Sequence, residues 1–467
     1  MVGFQLSRQR VAWNILNDQG VMESVNGLID MSPKSGVRGS IDRYSEMPDF
    51  SFISNEQKLI TGTLEDGRII LIPDAAIDFC RIRARIAFLS RKSVGIDLRN
   101  QSKLIIKKSA IRISGVKKVF DFKEQKLQDG LFQQSPWYSD IDGHLLHYDL
   151  REFQSNVDVI VEEKLSPCHY LNVDDIVISF DHLYWIDYQQ LMGIWVAPLQ
   201  SFISILTQRF ESVLAVYAMI SIDGKDFACE VYGESIVNMS DKSETSSSAV
   251  KMVSPLEFVE KLSTWRQNLL NPSGLFNVYG QLMLAEENLT RMRFLLLIEG
   301  LESHYDIQNK EELLKKDEEF QERRNTALSF LKKLQANSDE ERRIIEFIKG
   351  HLFSNVHIPL SQKLEKLFDV IPEEVIVRMA SIKTIERYAE ATTADRPVRH
   401  VCCTLGRLRN ALSHGDDKAY GHDFPLLVNK LEGIVQYLML CEIGFDPNEI
   451  KQALLFSGFP PPKHYGA

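Results

Sequence analysis

From about residue 48 to residue 235, apolar and polar positions alternate in short runs separated by turn chemistry. "KLITGTLEDGRIILIP" sets Asp66-Gly67 between two strand-like segments, and "VLAVYAMISIDGKDFACEVYG" repeats the device with Asp223-Gly224. Asp-Gly between apolar runs predicts a hairpin, since a type I′ turn requires positive φ at both central residues. "SKLIIKKSAIRISGV" and "SNVDVIVEEKL" add strands with partial period-two alternation. The first half therefore reads as mainly antiparallel β, a sandwich or open barrel.

The pattern then changes. "NMSDKSETSSSAVK", residues 238–251, is Ser-rich and free of aromatics, as suits an exposed connection. Beyond it "PLEFVEKLSTWRQNLL" spaces Leu256, Val259, Leu262 and Trp265 at helical steps, and "NLTRMRFLLLIEGLESHYD" carries an almost continuous apolar stripe. "NKEELLKKDEEFQERRNTALSFLKKL" reads as a charge-laced amphipathic helix, and "FPLLVNKLEGIVQYLMLCEIG" as a closing helix with Gly444 at its C-cap. The expected fold class is α+β: a β-rich domain over 1–237, a linker over 238–251 and an all-α bundle over 252–467. The tail "FPPPKHYGA" reads as unstructured.

Composition sharpens this only in part. At 467 residues the chain exceeds what one core organises, and its 44% hydrophobic and 25% charged residues are those of a globular protein. The net charge of −10 gives no overall attraction to nucleic acid or to an anionic membrane, so a local patch has to draw any polyanion. The six cysteines (Cys80, Cys168, Cys229, Cys402, Cys403, Cys441) form no C-x-x-C pair and read as reduced thiols of a cytoplasmic protein. "MVGFQLSRQRVAWNILNDQG" lacks the apolar core of a secretion signal. The most apolar run, "SVLAVYAMISI" at 212–222, falls short of the roughly 20 residues of a membrane helix, so no span is expected. No internal repeat of solenoid length is present.

One segment inverts the overall charge. Between Arg396 and Gly415 lie Arg396, Arg399, His400, Arg407, Arg409 and His414, without a carboxylate. On a helix Arg407, Asn410, Ala411 and His414 share a face, whereas Arg409 stands roughly 140° from His414. The two meet if the helix ends there, if the guanidinium stem wraps round, or if a second copy supplies one of them. Gly415 supports the first route as a helix stop. A helix C-terminus favours the imidazolium of His414, while the neighbouring arginines oppose it. A histidine that takes and returns a proton, arginines that hold phosphate oxygens and an amide that positions the backbone suffice for metal-free RNA cleavage by the 2′-hydroxyl. A solvated basic helix face is the competing reading.

"RLRNALSHG" resembles the R-N-x3-H form of the R-x4–6-H motif of HEPN domains, and "FLLLIEGLESHYD" resembles the early helix of their ApeA-like branch, with Leu301-Glu302 as its Leu-Glu pair. The β-rich first half with "ITGTLEDGRIIL", followed by Trp265 ahead of the bundle, also resembles the two-part layout of ApeA anti-phage proteins. The resemblance implies a metal-independent endoribonuclease of abortive infection, cutting RNA, with tRNA the family-level expectation. It implies a homodimer whose paired helices unite two motif copies. Arg409 and His414 would be catalytic, Asn410 would orient the site, and Glu302 would support it as a hydrogen-bond partner of the arginine. Arg399, His400 and Arg407 would contact RNA. No metal and no cofactor are implied.

Other readings compete with this one. Glu299, Glu302 and His304 could be imagined as metal ligands, but no Glu-x-x-His pair occurs there and a structural ion pair is favoured. "GHDFP" offers a lone His422-Asp423 dyad that reads as exposed loop, and no Walker-type loop appears. Aromatics in "WYSDIDGHLLHYD" and "SFDHLYWIDYQQLMGIW" read as β-domain core, the sharper alternative being a recognition surface for a phage-derived trigger. The alternatives to an enzyme are a non-catalytic HEPN scaffold that binds nucleotide or RNA, and a protein-interaction adaptor.

Overall fold

The computed structural model describes residues 6–16, 22–32, 36–42, 56–78, 80–90, 104–119, 144–146, 149–151, 155–165, 171–208, 210–222, 224–233, 250, 255–270, 274–284, 290–353, 358–388, 396–415 and 421–455. The chain divides into two units, Met1–Arg266 and Gln267–Ala467. The first is β-rich and the second helical, the α+β order that the patterning requires.

Strands of the first unit are β1 (Leu6–Leu16), β2 (Met22–Ser32), β3 (Gly36–Ile41), β4 (Glu56–Leu64), β5 (Ile69–Asp78), β6 (Arg81–Ala84) and β7 (Ile86–Ser90). They are followed by β8 (Ile105–Ile113), β9 (His144–Leu146), β10 (Asp149–Arg151), β11 (Ser155–Leu165), β12 (Leu171–Ile186), β13 (Val213–Ile222) and β14 (Lys225–Gly233). Both Asp-Gly segments turn hairpins, β4–β5 and β13–β14. At the first, Gly67 alone takes positive φ (83°), and its N–H donates to the Leu64 carbonyl at 2.9 Å. The connection is thus a type I turn with a glycine bulge, not the type I′ turn expected. Asp66 is held by accepting from Arg68 Nε at 2.7 Å. Gly224 has φ 74°, and Asp223 lies outside the described residues.

The antiparallel pairings β1–β2, β2–β3, β3–β6, β6–β5, β5–β4 and β4–β1 close a ring. The expected open barrel is therefore a closed one at this end. Trp13 fills its interior, fully buried, and its indole N–H donates to the Ser40 carbonyl at 3.0 Å. Gly27, Gly39 and Gly62 surround it, and a Cβ on any of them would come within 3 Å of the indole. The absence of side chains there is what lets the ring in. Because β5 also pairs with β7, the sheet leaves the barrel and runs on through β14, β13, β8, β12, β11 and β10, with β9 beside β11.

Short helix α1 (Val116–Val119) and a long helical segment pack in this unit. The segment comprises α2 (Tyr188–Gln190), a π-helical stretch (Leu191–Val196) and α3 (Ala197–Thr207), opened by a capping box between Asp187 and Gln190. Tyr188–Thr207 is long and apolar enough to cross a membrane by length and composition, but 61% of its window is buried within the protein, as in a core helix. The run 212–222, which drew attention in the sequence, is largely β13. Phe180 and Trp195 are buried with ring centroids 4.6 Å apart, so these aromatics of the second cluster are core. The cluster at 137–149 lies largely outside the described residues, as do 238–249 and the tail.

Helix α4 (Pro255–Leu270) explains where the first unit ends. Trp265 donates its indole N–H to Ser201 Oγ at 3.0 Å, and Arg266 donates Nε–H to the Ile194 carbonyl at 3.0 Å. The Arg266 guanidinium lies 3.6 Å from the Trp195 ring centroid, a cation–π contact. The division thus falls inside α4, later than the Ser-rich stretch at 238–251, of which Val250 is described and donates to the Leu206 carbonyl at 2.8 Å.

The second unit holds α5 (Gly274–Leu284), α6 (Thr290–Gln308), α7 (Lys310–Lys333), α8 (Asp339–His351), α9 (Leu360–Phe368), α10 (Glu373–Ala380), α11 (Lys383–Tyr388), α12 (Pro397–Ser413), α13 (Phe424–Glu442) and α14 (Pro447–Leu454). Phe294, Leu297, Ile298, Leu301 and Tyr305 make the buried stripe of α6. An ion pair of Arg293 with Glu432 at 2.9 Å links α6 to α13, and Gln436 donates to Tyr279 Oη at 2.8 Å. Helix α13 ends as expected: Gly444 (φ 90°) donates to the Cys441 carbonyl and Phe445 to that of Leu440, each at 3.0 Å. This is the paired bonding of a Schellman stop. Cys80, Cys229, Cys402, Cys403 and Cys441 are free thiols, and Cys168 lies outside the described residues.

Buried His182 gives the first unit a pH dependence. Burial pulls its imidazole down to about 3, with the Arg266 charge adding to the effect, and its Nε2 lies 2.9 Å from Ser109 Oγ. The unfolded chain takes up a proton near 6.5, the folded one far lower, so this contribution is complete above 6.5 and is lost as pH falls toward 3. Between 6.5 and about pH 5 the loss is about 2 kcal/mol at ~1.4 kcal/mol per unit. Urea titrations at the two pH values should show this decrease in the wild type and a shallower one in His182→Asn.

Candidate functional site

The carboxylate-free segment folds as α12. Pro397 occupies its first turn, where a missing N–H costs nothing, and Arg396 enters in extended conformation. Val401, Cys402, Leu405, Leu408 and Leu412 are fully buried at three- and four-residue steps. That seam decides the rest of the helix: Arg399, Arg409, Asn410 and Ser413 are exposed, while His400 and Arg407 are half-buried.

Helix α12 stops where the motif ends. His414 is the C-cap and donates its N–H to the Asn410 carbonyl at 3.1 Å, and Gly415 follows with φ 81°, donating to the Leu412 carbonyl at 3.1 Å. A Cβ at Gly415 would meet nothing within 4 Å, so the backbone conformation alone accounts for a glycine there. Of the three routes by which Arg409 and His414 could meet, the helix stop is present. It does not join them by itself: Arg409 Nη1 donates to Asn410 Oδ1 at 3.2 Å, and no hydrogen bond links the Arg409 and His414 side chains among the described residues.

The candidate RNA contacts divide. Arg399 is exposed, whereas Arg407 donates Nη1–H to the Tyr388 carbonyl at 3.2 Å and so braces the end of α11. The His400 carbonyl accepts from the Thr404 hydroxyl at 2.7 Å within the helix.

Glu302 stands elsewhere. Its carboxylate accepts from Lys363 Nζ at 3.0 Å, and Asp306 accepts from the same ammonium at 2.9 Å. Burial opposes the Lys363 charge, but Asp306 and Glu302 outweigh it and raise its pKa. The partner expected for Glu302 was the motif arginine, and the structure gives it Lys363 of α9. The reason is the run of α6: Arg291, in its first turn, donates to the Leu412 carbonyl at the end of α12. Glu302 lies about 16 Å further along at ~1.5 Å per residue.

Arg291 is the residue that sequence reading passed over. It brings a guanidinium to the last turn of α12, on a carbonyl that also receives Gly415. A pair of cations, Arg291 and Arg293, ahead of the apolar run was the available signal, hidden because "TRMRFLLLIEG" reads first as an apolar stripe.

Among the described residues no group of three His, Cys, Asp or Glu side chains is placed to hold an ion. Glu302 sits in an ion pair, as favoured. His304 is buried, its Nδ1 3.8 Å from Glu442 Oε2, and burial pulls its pKa to about 4. Asp423 is a tether more than a loop residue: it accepts from the Thr384 amide at 2.9 Å and hydroxyl at 2.8 Å. His422 beside it is exposed.

Two substitutions test this local construction. Gly415→Ala should cost about 1 kcal/mol by forcing a Cβ-bearing residue into positive φ, and Gly415→Asn less. Lys363→Met should cost about 1–3 kcal/mol by stranding two carboxylates. Chemical denaturation at neutral pH measures both.

An exposed guanidinium, amide and imidazole thus gather at the end of a helix with no acidic neighbour within it. Residues 295–449, from α6 into α14, match the family model Apea-like HEPN. No curated protein and no solved structure matches the chain significantly. The match lies wholly inside the helical unit, and that unit carries an ApeA-like HEPN domain.

Proposed function

We propose that the protein is a metal-independent endoribonuclease of anti-phage defence, acting in the cytoplasm by abortive infection, with Arg409 and His414 as its catalytic pair. HEPN domains are generally nucleases and the family supports a defence-associated role. The observation that carries the reading is the exposed, carboxylate-free end of α12, where Arg409 and Asn410 are hydrogen-bonded and His414 caps the helix.

In this mechanism His414 takes the proton of an RNA 2′-hydroxyl, and the 2′-oxygen forms a bond to the adjacent phosphorus. The bond to the 5′-oxygen breaks, and the proton returns to that leaving oxygen. The products are a 2′,3′-cyclic phosphate and a 5′-hydroxyl. Arg409 holds the phosphate oxygens as charge develops, Asn410 orients it, and Arg399 and His400 contact the strand. Because Arg409 and His414 are not joined within one chain, the reading includes a homodimer in which two motif copies share a cleft. The substrate proposed is tRNA, and the β-rich unit would receive a phage-derived trigger.

The same separation of Arg409 and His414 favours a second reading, a HEPN domain that binds RNA without cutting it. End-group mapping separates the two, since only the nuclease creates new cyclic-phosphate and 5′-hydroxyl ends. His414→Ala and Arg409→Ala should each lower cleavage by about 10²–10⁴-fold, the range of lost acid–base or charge stabilisation. Fold and oligomeric state should be unchanged, and EDTA should leave the wild-type rate unaltered. A His414→Ala protein that cuts at the wild-type rate would remove the assignment.

A further inference from the structure

The end of α12 is not held by α12 alone. The last carbonyls of any helix lack an intrahelical α-type donor. That of Leu412 receives the Gly415 N–H at 3.1 Å, a tight i→i−3 closure, and also the Arg291 guanidinium from the first turn of α6. Such a closure has poorer hydrogen-bond geometry than an α-helical turn. His414 lies between Leu412 and Gly415, so the bond from Arg291 falls on the turn that aims its imidazole.

Arg291 reaches that carbonyl from a fixed platform. Two residues on, Arg293 donates Nη1–H to the Leu282 carbonyl of α5 at 3.0 Å and pairs with Glu432 of α13 at 2.9 Å. Phe294 and Leu297, which follow, are fully buried. The start of α6 is thereby tied to two neighbouring helices, and what Arg291 holds is held against the bundle.

Capping by a basic side chain is the ordinary account of an arginine at a helix C-terminus, and it stabilises the helix wherever it occurs. Here two further facts bear on it. The capped turn carries the histidine of the candidate site. Arg291 is half-buried and, among the described residues, has neither a carboxylate partner nor a second hydrogen bond, whereas Arg293 on the same helix has Glu432. The brace therefore brings no negative charge to a site that has to receive phosphate.

We propose that Arg291 is a positioning residue of the nuclease: by holding the Leu412 carbonyl it fixes the turn from which His414 reaches the 2′-hydroxyl, and it does not itself touch RNA. The inference rests on the function proposed above. Around α12, Leu412 and His414 stand about 160° apart. Leu412 is buried and His414 exposed, so the guanidinium arrives from the bundle side while the imidazole leaves on the other. A general base displaced by about 1 Å loses on the order of 10²-fold in rate. Substrate binding does not depend on that placement, so the loss falls on turnover.

Cleavage and binding of unfractionated tRNA by the full-length protein test it, at a temperature where circular dichroism shows every variant folded. Arg291→Ala should lower kcat about 10–100-fold and leave KM within about twofold. Arg291→Lys should recover most of the loss, since an ammonium also donates to a carbonyl. In a His414→Ala protein, which holds RNA without cutting it, adding Arg291→Ala should leave tRNA affinity and its salt dependence unchanged. Combined with Gly415→Ala, which disturbs the same turn, the loss should be smaller than the product of the two single losses. Arg291→Ala protein that cuts at the wild-type rate overturns the proposal. So does a loss seen in tRNA affinity with the salt slope reduced by about 1, which would make Arg291 a direct phosphate contact. Amide exchange reads the turn without RNA: the Gly415 N–H should exchange at least tenfold faster in Arg291→Ala, and an unchanged rate rejects the brace. If the wild type cuts no RNA, the function falls, and the exchange measurement still decides whether Arg291 holds this turn.

Discussion

The buried seam of α12 is the constraint on which the candidate site depends. Val401, Cys402, Leu405, Leu408 and Leu412 are removed from water, and at about 25 cal/mol per Å² of apolar surface their burial outweighs any preference of individual polar residues. Once the seam is fixed, Arg409 and Asn410 have only solvent to face, and the helix must stop at His414 because Gly415 takes a conformation that no helix continues. Arg291 reinforces the stop from a neighbouring helix. The site is thus a consequence of packing, and the polar residues use a position that the apolar ones create.

The two units solve the burial problem differently. The first closes six strands around Trp13 and spends three glycines to fit one indole. The second stacks helices whose contacts are aliphatic and aromatic, tied at a few points by ion pairs that are shielded but not sealed, such as Arg293 with Glu432. Such pairs discriminate between registers of neighbouring helices more than they add net stability. Lys363 joins α9 to α6 in that way, through Glu302 and Asp306.

Periodicity made much of this legible. The stripe of α6, the close of α13 at Gly444, both hairpins and the stop at Gly415 follow from local chemistry, in which a few adjacent residues carry the whole cause. What was not legible depends on distant partners. Nothing near Glu302 announces Lys363, and nothing near Arg291 announces the Leu412 carbonyl. The barrel closure turns on β6, four residues long and pairing with both β3 and β5. The end of the first unit depends on partners of the same distant kind: composition marks where a chain becomes polar, whereas Trp265 and Arg266 are held by contacts with Ser201 and Ile194.

Closure of the barrel has a further consequence for how the first unit behaves in a crowded solution. A ring has no lateral margin, so the many unpaired amides and carbonyls that an open sheet would present at that side do not exist. At the other end of the sheet β9 and β10 lie against β11 in one and the same register, Leu146 opposite Val161 and Asp149 opposite Asp158. A foreign strand seeking a template therefore finds none along the ring, and exposure of that kind is confined to the far end of the sheet.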